Sequence, residues 1–540
     1  MEHYLPQIYW HDRTGLLSTD FHPVVKDGRY KIATSSVQKE VRIWEYFFFK
    51  AKKPGTNIEF EELQVNFIAN LVQHNNSVNI VRFSPAETDT LLASGDSEGR
   101  LVIWRLNDQS VAQMTDEELP PNKENWVRYR LISHEQDVTS IAWNPEGKLL
   151  ASVGRDGHLM VHEVHSGKRT VCIRNFRQFP NGITWDPRGK YLAILSMDRK
   201  MDIVDCNKGT KLKSIAMADL PARSICGLFA EAKPYRLWHD DQLAGFQRGV
   251  AFSPCGELIV APAVQMEIGT QDIYGTFVFK RSEIDKEKPF CLLPTAKATF
   301  LVRMCPLIFE LRDSEENYTG LPHRVMWLVL SKEQMYIYDS QHRHPIGYID
   351  NIHYNNLTDA AWSADGKTII ISSLEGYNSF LKLYLEQWGN VLVERPEPPP
   401  SPQLIKTRKK RAKVVAQDAE ENAAGEEAKE NVQITMTAPP TDAPTPTKLA
   451  KVKVNVSTPS SKLPTSTPTT PKAGPMDKFV KKETLSEKSD DSQKNAVNQP
   501  IQKNDASDVI AINPPPKPTV SMIATRKEPR KSVDVITIPH

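Results

Sequence analysis

A short turn that recurs along the chain constrains its fold more than any other feature of the sequence. Each copy has a large apolar residue, then any residue, then Pro, at the end of a strand-like run. The last copy has lost the Pro and kept the turn. The copies are Phe21-His22-Pro23, Phe83-Ser84-Pro85, Trp143-Asn144-Pro145, Trp185-Asp186-Pro187, Phe252-Ser253-Pro254, Met304-Cys305-Pro306 and Trp362-Ser363-Ala364-Asp365-Gly366.

The segment 134–164 shows what one repeat contains. Strand-like runs at 138–143, 149–153 and 159–164 are separated by tight turns that contain Gly147 and Gly157. Apolar and small polar residues alternate in the first run, as in a half-buried strand, and Pro and Gly favour the turns. One such sheet cannot bury both of its faces, so each repeat needs a neighbour of the same kind.

The spacing of the repeats indicates the architecture. The closest spacing, from Trp143 to Trp185, fits the roughly 40–45-residue period of WD-type propeller blades. Wider spacings are attributed to loop insertions. The sequence therefore predicts an all-β fold, a seven-bladed WD-repeat β-propeller. Tyr4 to Trp10 is predicted to complete the last blade and close the ring.

Composition divides the 540 residues into two parts. All ten Trp and all six Cys precede Glu394, whereas the chain beyond it is rich in Pro and has one aromatic residue, Phe479. Such a segment cannot offset the entropy of ordering itself. We therefore predict a propeller at 1–393 and a long disordered C-terminal tail at 394–540.

Charge, cysteine spacing and hydropathy exclude several classes of protein. A net charge of +2 does not suit a polycation that binds nucleic acid, so no direct sequence-specific DNA binding is expected. The cysteines are scattered without a CxxC pair, which argues against a zinc site. No apolar run reaches the roughly 20 residues that span a bilayer, and the N-terminus lacks a signal-peptide core. An intracellular protein without a membrane contact is expected.

Few residues suggest chemistry. His134 with Asp156 could serve in acid–base catalysis, but a buried hydrogen-bond network that fixes a turn is favoured. A metal site at His239-Asp240-Asp241 is disfavoured, because three consecutive loop residues cannot all face one ion. The sequence contains no GxxxxGK[ST], GxSxG or HExxH motif. We expect no enzyme activity, no metal and no cofactor, although a propeller enzyme without a local motif stays open as a rival class.

The tail carries two further kinds of candidate site. The basic run is interpreted as a nuclear localisation signal, with a solvated charge cluster as the alternative. Four Thr-Pro pairs are candidates for proline-directed phosphorylation. The basic residues are Lys406, Arg408, Lys409, Lys410, Arg411 and Lys413, and the threonines are Thr445, Thr458, Thr467 and Thr470.

Several stretches are more specific than the repeat pattern. Together they resemble the family of WD-repeat middle subunits of chromatin assembly factor one, over the whole propeller. These stretches are Asn79–Pro85, Lys123–Trp126, Tyr235–Asp241, Lys297–Arg303, Cys305–Arg312, Gly347–Tyr354 and Glu375–Tyr377. HIRA-like histone chaperones, with a longer chain and a different second half, are a poorer match, and a generic WD-repeat adaptor, for example of a ubiquitin ligase, is a rival outside the class.

The resemblance implies partners and a location. It implies a nuclear complex with a large scaffold subunit and a small histone-binding WD subunit, which receives histones three and four and deposits them on replicated DNA. A sliding clamp would be contacted only through the large subunit. We expect the large subunit to bind loops that carry family-specific residues, because aromatic and charged loop residues suit protein interfaces. The alternative is that each Trp in these loops packs against its own blade. These residues are Lys123, Glu124, Asn125, Trp126, Arg236, Trp238, His239, Asp240 and Asp241.

The extreme C-terminus is the most β-prone part of the tail. Here a basic pair precedes a short apolar run. This pattern resembles the segment with which the family binds an anti-silencing-type histone chaperone by strand addition. Ser532 stands where the family has Ile or Val, which leaves the register open, and a chance apolar end is the alternative. The residues concerned are Arg530, Lys531, Val533, Val535, Ile536 and Ile538.

Overall fold

The computed structural model describes the propeller and two short strands of the tail. The described residues are 1–52, 59–108, 119–174, 176–243, 245–313, 316–394, 404, 519–522 and 536–537. The predicted basic run and the four Thr-Pro sites lie outside these residues, and so does the predicted chaperone-binding segment except for Ile536. Within the described part of the chain, no helix is long and apolar enough to cross a membrane.

The N-terminal strand and the first four blades are regular. Each blade is a four-stranded antiparallel sheet in sequence order from the channel outward. The strands are β1 (Glu2–Tyr4); β2 (Leu16–Phe21), β3 (Arg29–Ser36), β4 (Glu40–Lys52) and β5 (Glu59–Val72) in blade 1; β6 (Val78–Phe83), β7 (Leu91–Asp96), β8 (Arg100–Asn107) and β9 (Asn125–Ser133) in blade 2; β10 (Val138–Trp143), β11 (Leu149–Gly154), β12 (Leu159–Glu163) and β13 (Arg169–Ile173) in blade 3; and β14 (Pro180–Trp185), β15 (Tyr191–Ser196), β16 (Lys200–Asp205) and β17 (Thr210–Ile215) in blade 4.

The second half of the ring is less regular. Two small hairpins stand between blades 4 and 5, and blades 5 and 6 each gain a fifth strand from the tail. The elements are β18 (Met217–Leu220), β19 (Arg223–Ile225), β20 (Leu228–Ala230) and β21 (Lys233–Arg236) in the hairpins; β22 (Ala251–Phe252), β23 (Leu258–Ile268), β24 (Gln271–Lys280), a 3-10 helix (Arg281–Lys286) and β25 (Cys291–Thr295) in blade 5; β26 (Thr299–Phe309), β27 (Arg324–Ser331), β28 (Gln334–Asp339) and β29 (Gly347–Asp350) in blade 6; β30 (Leu357–Trp362), β31 (Thr368–Ser373) and β32 (Asn378–Lys382) in blade 7; then α1 (Leu385–Trp388), β33 (Thr519–Met522) and β34 (Ile536–Thr537).

The seven-bladed ring and its predicted closure are confirmed, with shifted bounds. Strand β1 pairs with β32 as the outer strand of blade 7, and His3 lies opposite Leu381. The predicted strand at 4–10 therefore lies too far along the chain. Phe47–Phe49 belong to β4, in a long hairpin with β5. Not every wide interval between repeats is loop: most of 263–274 lies in β23 and β24, and the connection after β8 ends where β9 begins, at Asn125.

Local turn chemistry and packing between blades produce this architecture. Gly147 has a φ of +70°, a left-handed conformation that glycine adopts without strain, and its N–H bonds to the Asn144 carbonyl at 3.0 Å. Apolar side chains on both faces of each sheet pack against the neighbouring blades. Trp143, for example, is buried with Ile80 and Leu91 of the preceding blade. The core is therefore a ring of such clusters rather than one central mass.

A buried charge network joins the inner strands where the ring closes. The Asp359 carboxylate of blade 7 accepts hydrogen bonds from Arg82 of blade 2 at 2.8 Å, Arg303 of blade 6 at 2.8 Å and the Ser18 hydroxyl of blade 1 at 2.6 Å. Burial raises the pKa of Asp359, and Arg82 opposes that rise. Four consecutive blades thus share one carboxylate, which links the two ends of the ring where it closes.

His134 and Asp156 stabilise a turn, as predicted. His134 Nδ1 lies 3.0 Å from Asp156 Oδ2, and Nε2 lies 2.8 Å from the Ser152 hydroxyl. Burial acts to raise the pKa of Asp156, but hydrogen bonds from His134 and from the backbone amides of Glu135 and His158 outweigh it and lower that pKa to about 2. This carboxylate fixes the turn from Gly154 to His158 and the segment that leads into blade 3.

Candidate protein-docking surfaces

The first predicted surface lies at the connection between the third and fourth strands of blade 2. Lys123 is exposed, and its backbone N–H bonds to the Ile68 carbonyl of blade 1 at 2.7 Å. Glu124 pairs with Lys31 at 2.5 Å and accepts the Trp126 indole N–H at 2.8 Å. Asn125 is half-buried at the start of β9. These contacts attach the segment to two blades at once.

Trp126 is part of the core and is not a free anchor for a partner. Its side chain is only 9% exposed, and its ring packs edge-on against Phe83 at 6.2 Å. Beside it is a cavity of about 1030 Å³ between blades 1 and 2. Charged side chains of both signs line this cavity, among them Lys26, Asp27 and Glu87. A partner that binds at this surface would contact charged side chains rather than the Trp126 indole.

The second predicted surface follows the small hairpins between blades 4 and 5. Trp238 is fully buried, donates its indole N–H to the Ile215 carbonyl at 2.8 Å and packs against Phe277 and Phe279. The Trp238 side chain is therefore as inaccessible as that of Trp126. Trp238 stabilises the junction that carries the neighbouring residues.

The residues on either side of Trp238 reach solvent. Arg236 at the end of β21 and Asp241 are exposed, and Asp240 is partly exposed. His239 is buried and lies 2.9 Å from the Asp240 carboxylate. Burial acts to raise the pKa of Asp240, but the Gln242 amide and His239 lower it. The carboxylates of Asp240 and Asp241 thus present negative charge next to Arg236.

The two predicted surfaces lie on opposite faces of the ring. In an antiparallel four-stranded blade, the turns after the first and third strands share one face, and the remaining connections share the other. The segment before β9 belongs to the first face, whereas 236–241 connects the outer strand of blade 4 to the inner strand of blade 5. The structure does not join them in one patch, so one partner would have to contact both faces.

The small hairpins themselves were not predicted from the sequence. Strands β19 and β20 form a small hairpin whose turn residues, Cys226 and Gly227, both have positive φ. Phe229 on this hairpin is 72% exposed, and Met217 on β18 is 47% exposed. The long interval between Trp185 and Phe252 is the available signal, but a long interval fits a loop insertion equally well.

The described residues give no sign of a metal centre. Among residues 1–394, with the gaps given above, no three His, Cys, Asp or Glu side chains are grouped so as to hold an ion. All six cysteines are free thiols. Burial raises the pKa of Cys206 to about 11, so this thiol is not activated as a nucleophile.

Comparisons with known proteins agree with the motifs. A family model described as the CAF1B/HIR1 beta-propeller domain matches residues 1–387. The B subunit of chromatin assembly factor 1 from Mus musculus is 32% identical over 406 residues, which cover 72% of this chain and 68% of the relative. The Saccharomyces cerevisiae protein of the same name is 26% identical, with coverage of 73% and 87%. Protein HIR1 of Kluyveromyces lactis is 23% identical and is covered over 41% of its length.

Proposed function

Because the chain belongs to the CAF1B/HIR1 beta-propeller family, we propose that it is the non-catalytic middle subunit of a replication-coupled histone chaperone complex. This complex deposits newly made histones three and four on replicated DNA. The observation that supports this proposal is the whole-propeller similarity to the B subunit of chromatin assembly factor 1, which also extends over 68% of the mouse protein. The HIR1 relative is less similar and is matched over less than half of its length.

The proposed work of the propeller is to hold partners. A rigid ring with loops on two faces offers separate surfaces for a large scaffold subunit and a small histone-binding subunit. Its buried carboxylates take part in hydrogen bonds that fix turns and join blades, as Asp156 and Asp359 do. The exposed loops are therefore the parts of the ring available for recognition.

Affinity purification of the tagged full chain from nuclear extract, followed by mass spectrometry, tests the assignment. We expect a large and a small subunit together with histones three and four. Recovery of ubiquitin-ligase components without histones would instead support a generic adaptor. Recovery of a HIRA-type complex without replication proteins would support the second histone-chaperone class.

Charge reversal at exposed positions tests the proposed large-subunit surfaces without disturbing the core. Lys123→Glu probes one face, and Arg236→Glu combined with Asp241→Lys probes the other. Lys168→Glu and Glu135→Lys are matched controls, since both residues are exposed and lie in blade 3 or just before it. We expect at least tenfold weaker recovery of the large subunit for a reversal at its site. Equal recovery with all variants would argue against both surfaces.

The proposed nuclear import signal rests on the basic run alone. A reporter fused to residues 394–420 should enter the nucleus. Replacement of Arg408, Lys409, Lys410 and Arg411 by Ala in the full chain should leave the protein in the cytoplasm. Unchanged import of that variant would place the signal elsewhere.

The C-terminus is proposed to bind an anti-silencing-type histone chaperone by strand addition. A peptide of residues 524–540 should bind that chaperone with micromolar affinity, roughly −8 kcal/mol. Arg530→Ala with Lys531→Ala should weaken the binding. Binding that is absent, or indifferent to both substitutions, would argue against this contact.

A further inference from the structure

The outer strands of blades 5 and 6 differ from those of the other blades. In β25 and β29 every residue is buried or half-buried, and Cys291, Leu293 and Ile349 are fully buried. The outer strands of the other five blades, β1, β5, β9, β13 and β17, each contain exposed residues. An outer strand normally has one edge open to water, but in blades 5 and 6 that edge is paired with a further strand.

Segments of the chain's own C-terminal region lie along these two edges. Strand β33 pairs antiparallel with β29 over four residues, from Thr519 opposite Asp350 to Met522 opposite Gly347. Strand β34 pairs with β25, with Ile536 opposite Leu292 and Thr537 opposite Cys291. Each segment forms the fifth strand of its sheet.

We propose that the outer edges of blades 5 and 6 form a strand-accepting surface, and that its occupant is the C-terminal segment of the same chain. An outer strand presents unpaired backbone N–H and C=O groups, and an added strand satisfies them. β-Branched residues are frequent in the two segments, which read TVSM and IT. The surface therefore selects an extended peptide through backbone pairing.

Chain connectivity favours the tail of the same molecule over a free peptide. Both segments are tethered to the ring, so the pairing is intramolecular and its effective concentration is high. Loop-closure entropy grows only slowly with loop length, so the long tethering segment adds little cost. Residues 523–535 connect the two strands and could span about 40 Å when extended. The two strands thus belong to one continuous stretch of chain, and each pairs with its own edge.

The pairing has a consequence for the proposed chaperone contact. When β34 is paired with β25, one edge of Ile536 and Thr537 is already taken, and a partner's sheet can reach only the opposite edge, next to blade 5. The full chain should therefore bind that chaperone more weakly than a free peptide of residues 524–540 does. This consequence rests on the proposed function, whereas the pairing within the chain does not.

Hydrogen exchange of the full-length protein tests the pairing. Val520→Pro with Ser521→Pro removes two backbone N–H groups from β33. We expect exchange to accelerate at least tenfold in the peptide that covers Gly347 to Asp350, since alternate amides of β29 point at β33. Val509→Pro with Ile510→Pro is the matched control outside the paired strands and should leave this exchange unchanged. The same rate in both variants would overturn the proposal.

Cross-linking provides a second test that does not depend on stability. Asp350→Cys with Thr519→Cys places two thiols at paired positions, in a chain whose exposed Cys172 and Cys226 are replaced by Ser. Mild oxidation should give a disulfide within a monomer, because directly paired residues lie within disulfide reach. Asp350→Cys with Ser507→Cys is the control. Equal cross-linking in the control, or cross-linked dimers alone, would overturn pairing within the chain.

Discussion

Blades 2 and 3 fix their turns differently from blades 5 and 6. In blade 2 the Ser94 hydroxyl lies 2.6 Å from His74 Nε2 and accepts the Trp104 indole N–H at 2.8 Å, while His74 Nδ1 lies 2.9 Å from Asp96. Blade 3 repeats the His–Ser–Asp part of this chain of hydrogen bonds. All members belong to the same repeat or to the segment just before it.

In the irregular half, buried arginine–aspartate pairs replace the His–Ser–Asp hydrogen bonds of blades 2 and 3. Arg281 of blade 5 donates two hydrogen bonds of 2.7 Å to Asp186, which lies in the first turn of blade 4. In blade 6, Arg324 pairs with Asp339 at 3.0 Å and also donates to the Trp388 carbonyl. Both pairs are almost wholly excluded from solvent. The irregular blades thus depend on charges that are costly to leave unpaired.

The largest predicted effect lies where the regular half meets the irregular half. A Cβ atom on Gly182 would lie 1.8 Å from the Arg248 backbone oxygen. Gly182→Ala should therefore prevent blades 4 and 5 from packing, and we expect little folded protein, measured by urea unfolding and size-exclusion chromatography. Gly189→Ala is the control: its added Cβ meets nothing within 4 Å, and only the positive φ costs about 1 kcal/mol. Similar stability of the two variants would show that blades 4 and 5 can move apart at this junction without loss of stability.

Removal of Arg281 should have the next largest effect. Arg281→Met leaves the buried Asp186 carboxylate without its charged partner, bonded to the backbone N–H groups of Arg188 and Lys190, and the free energy of unfolding should fall by about 3–5 kcal/mol. Adding Asp186→Asn to the same chain removes the buried negative charge and should restore part of the lost free energy of unfolding. The measurement is chemical unfolding of the three proteins. A double variant less stable than Arg281→Met would contradict the argument that an unpaired charge causes the loss.

Single hydroxyl deletions in the regular half should cost less. Ser94→Ala leaves both His74 Nε2 and the Trp104 indole N–H without this hydroxyl as a hydrogen-bond partner, and we expect a loss of about 2 kcal/mol. Ser152→Ala in blade 3 removes only the contact with His134 and should cost about 1 kcal/mol. Losses as large as that of Arg281→Met would remove the distinction between the two halves.

The last predicted effect, similar in size to those of the hydroxyl deletions, is a pH dependence from blade 1. Burial lowers the pKa of His11 to about 3, below the roughly 6.5 of an unfolded histidine. As pH falls through 6.5, His11 binds a proton in the unfolded state but stays neutral in the folded state. The free energy of unfolding therefore falls on acidification. Between pH 7.5 and 5.5 this amounts to about 1.4 kcal/mol, and His11→Gln should reduce the measured pH dependence by about that amount. An unchanged pH profile would mean that other groups dominate.

The features that the sequence predicted well are local. The turn at Asn144–Gly147 and the His134–Asp156 pair depend on residues a few positions apart or within one repeat, so a pattern read along the chain contains them. The closing strand followed from the same repeat, because a propeller with three strands in its last blade needs a fourth from elsewhere. Only the predicted bounds were wrong, because the strand is formed by Glu2–Tyr4 and not by residues 4–10.

The features that only the tertiary structure decided join residues that are distant in the chain. Nothing near Arg281 indicates that it pairs with Asp186, and nothing near Trp238 separates an indole that packs on Phe277 from one that faces a partner. The sequence placed Ile536 in a short strand, but β25 as its pairing edge depends on which outer strand remains open once the ring is closed. Backbone periodicity specifies each blade by itself, whereas burial and pairing between blades are settled only when the whole ring assembles.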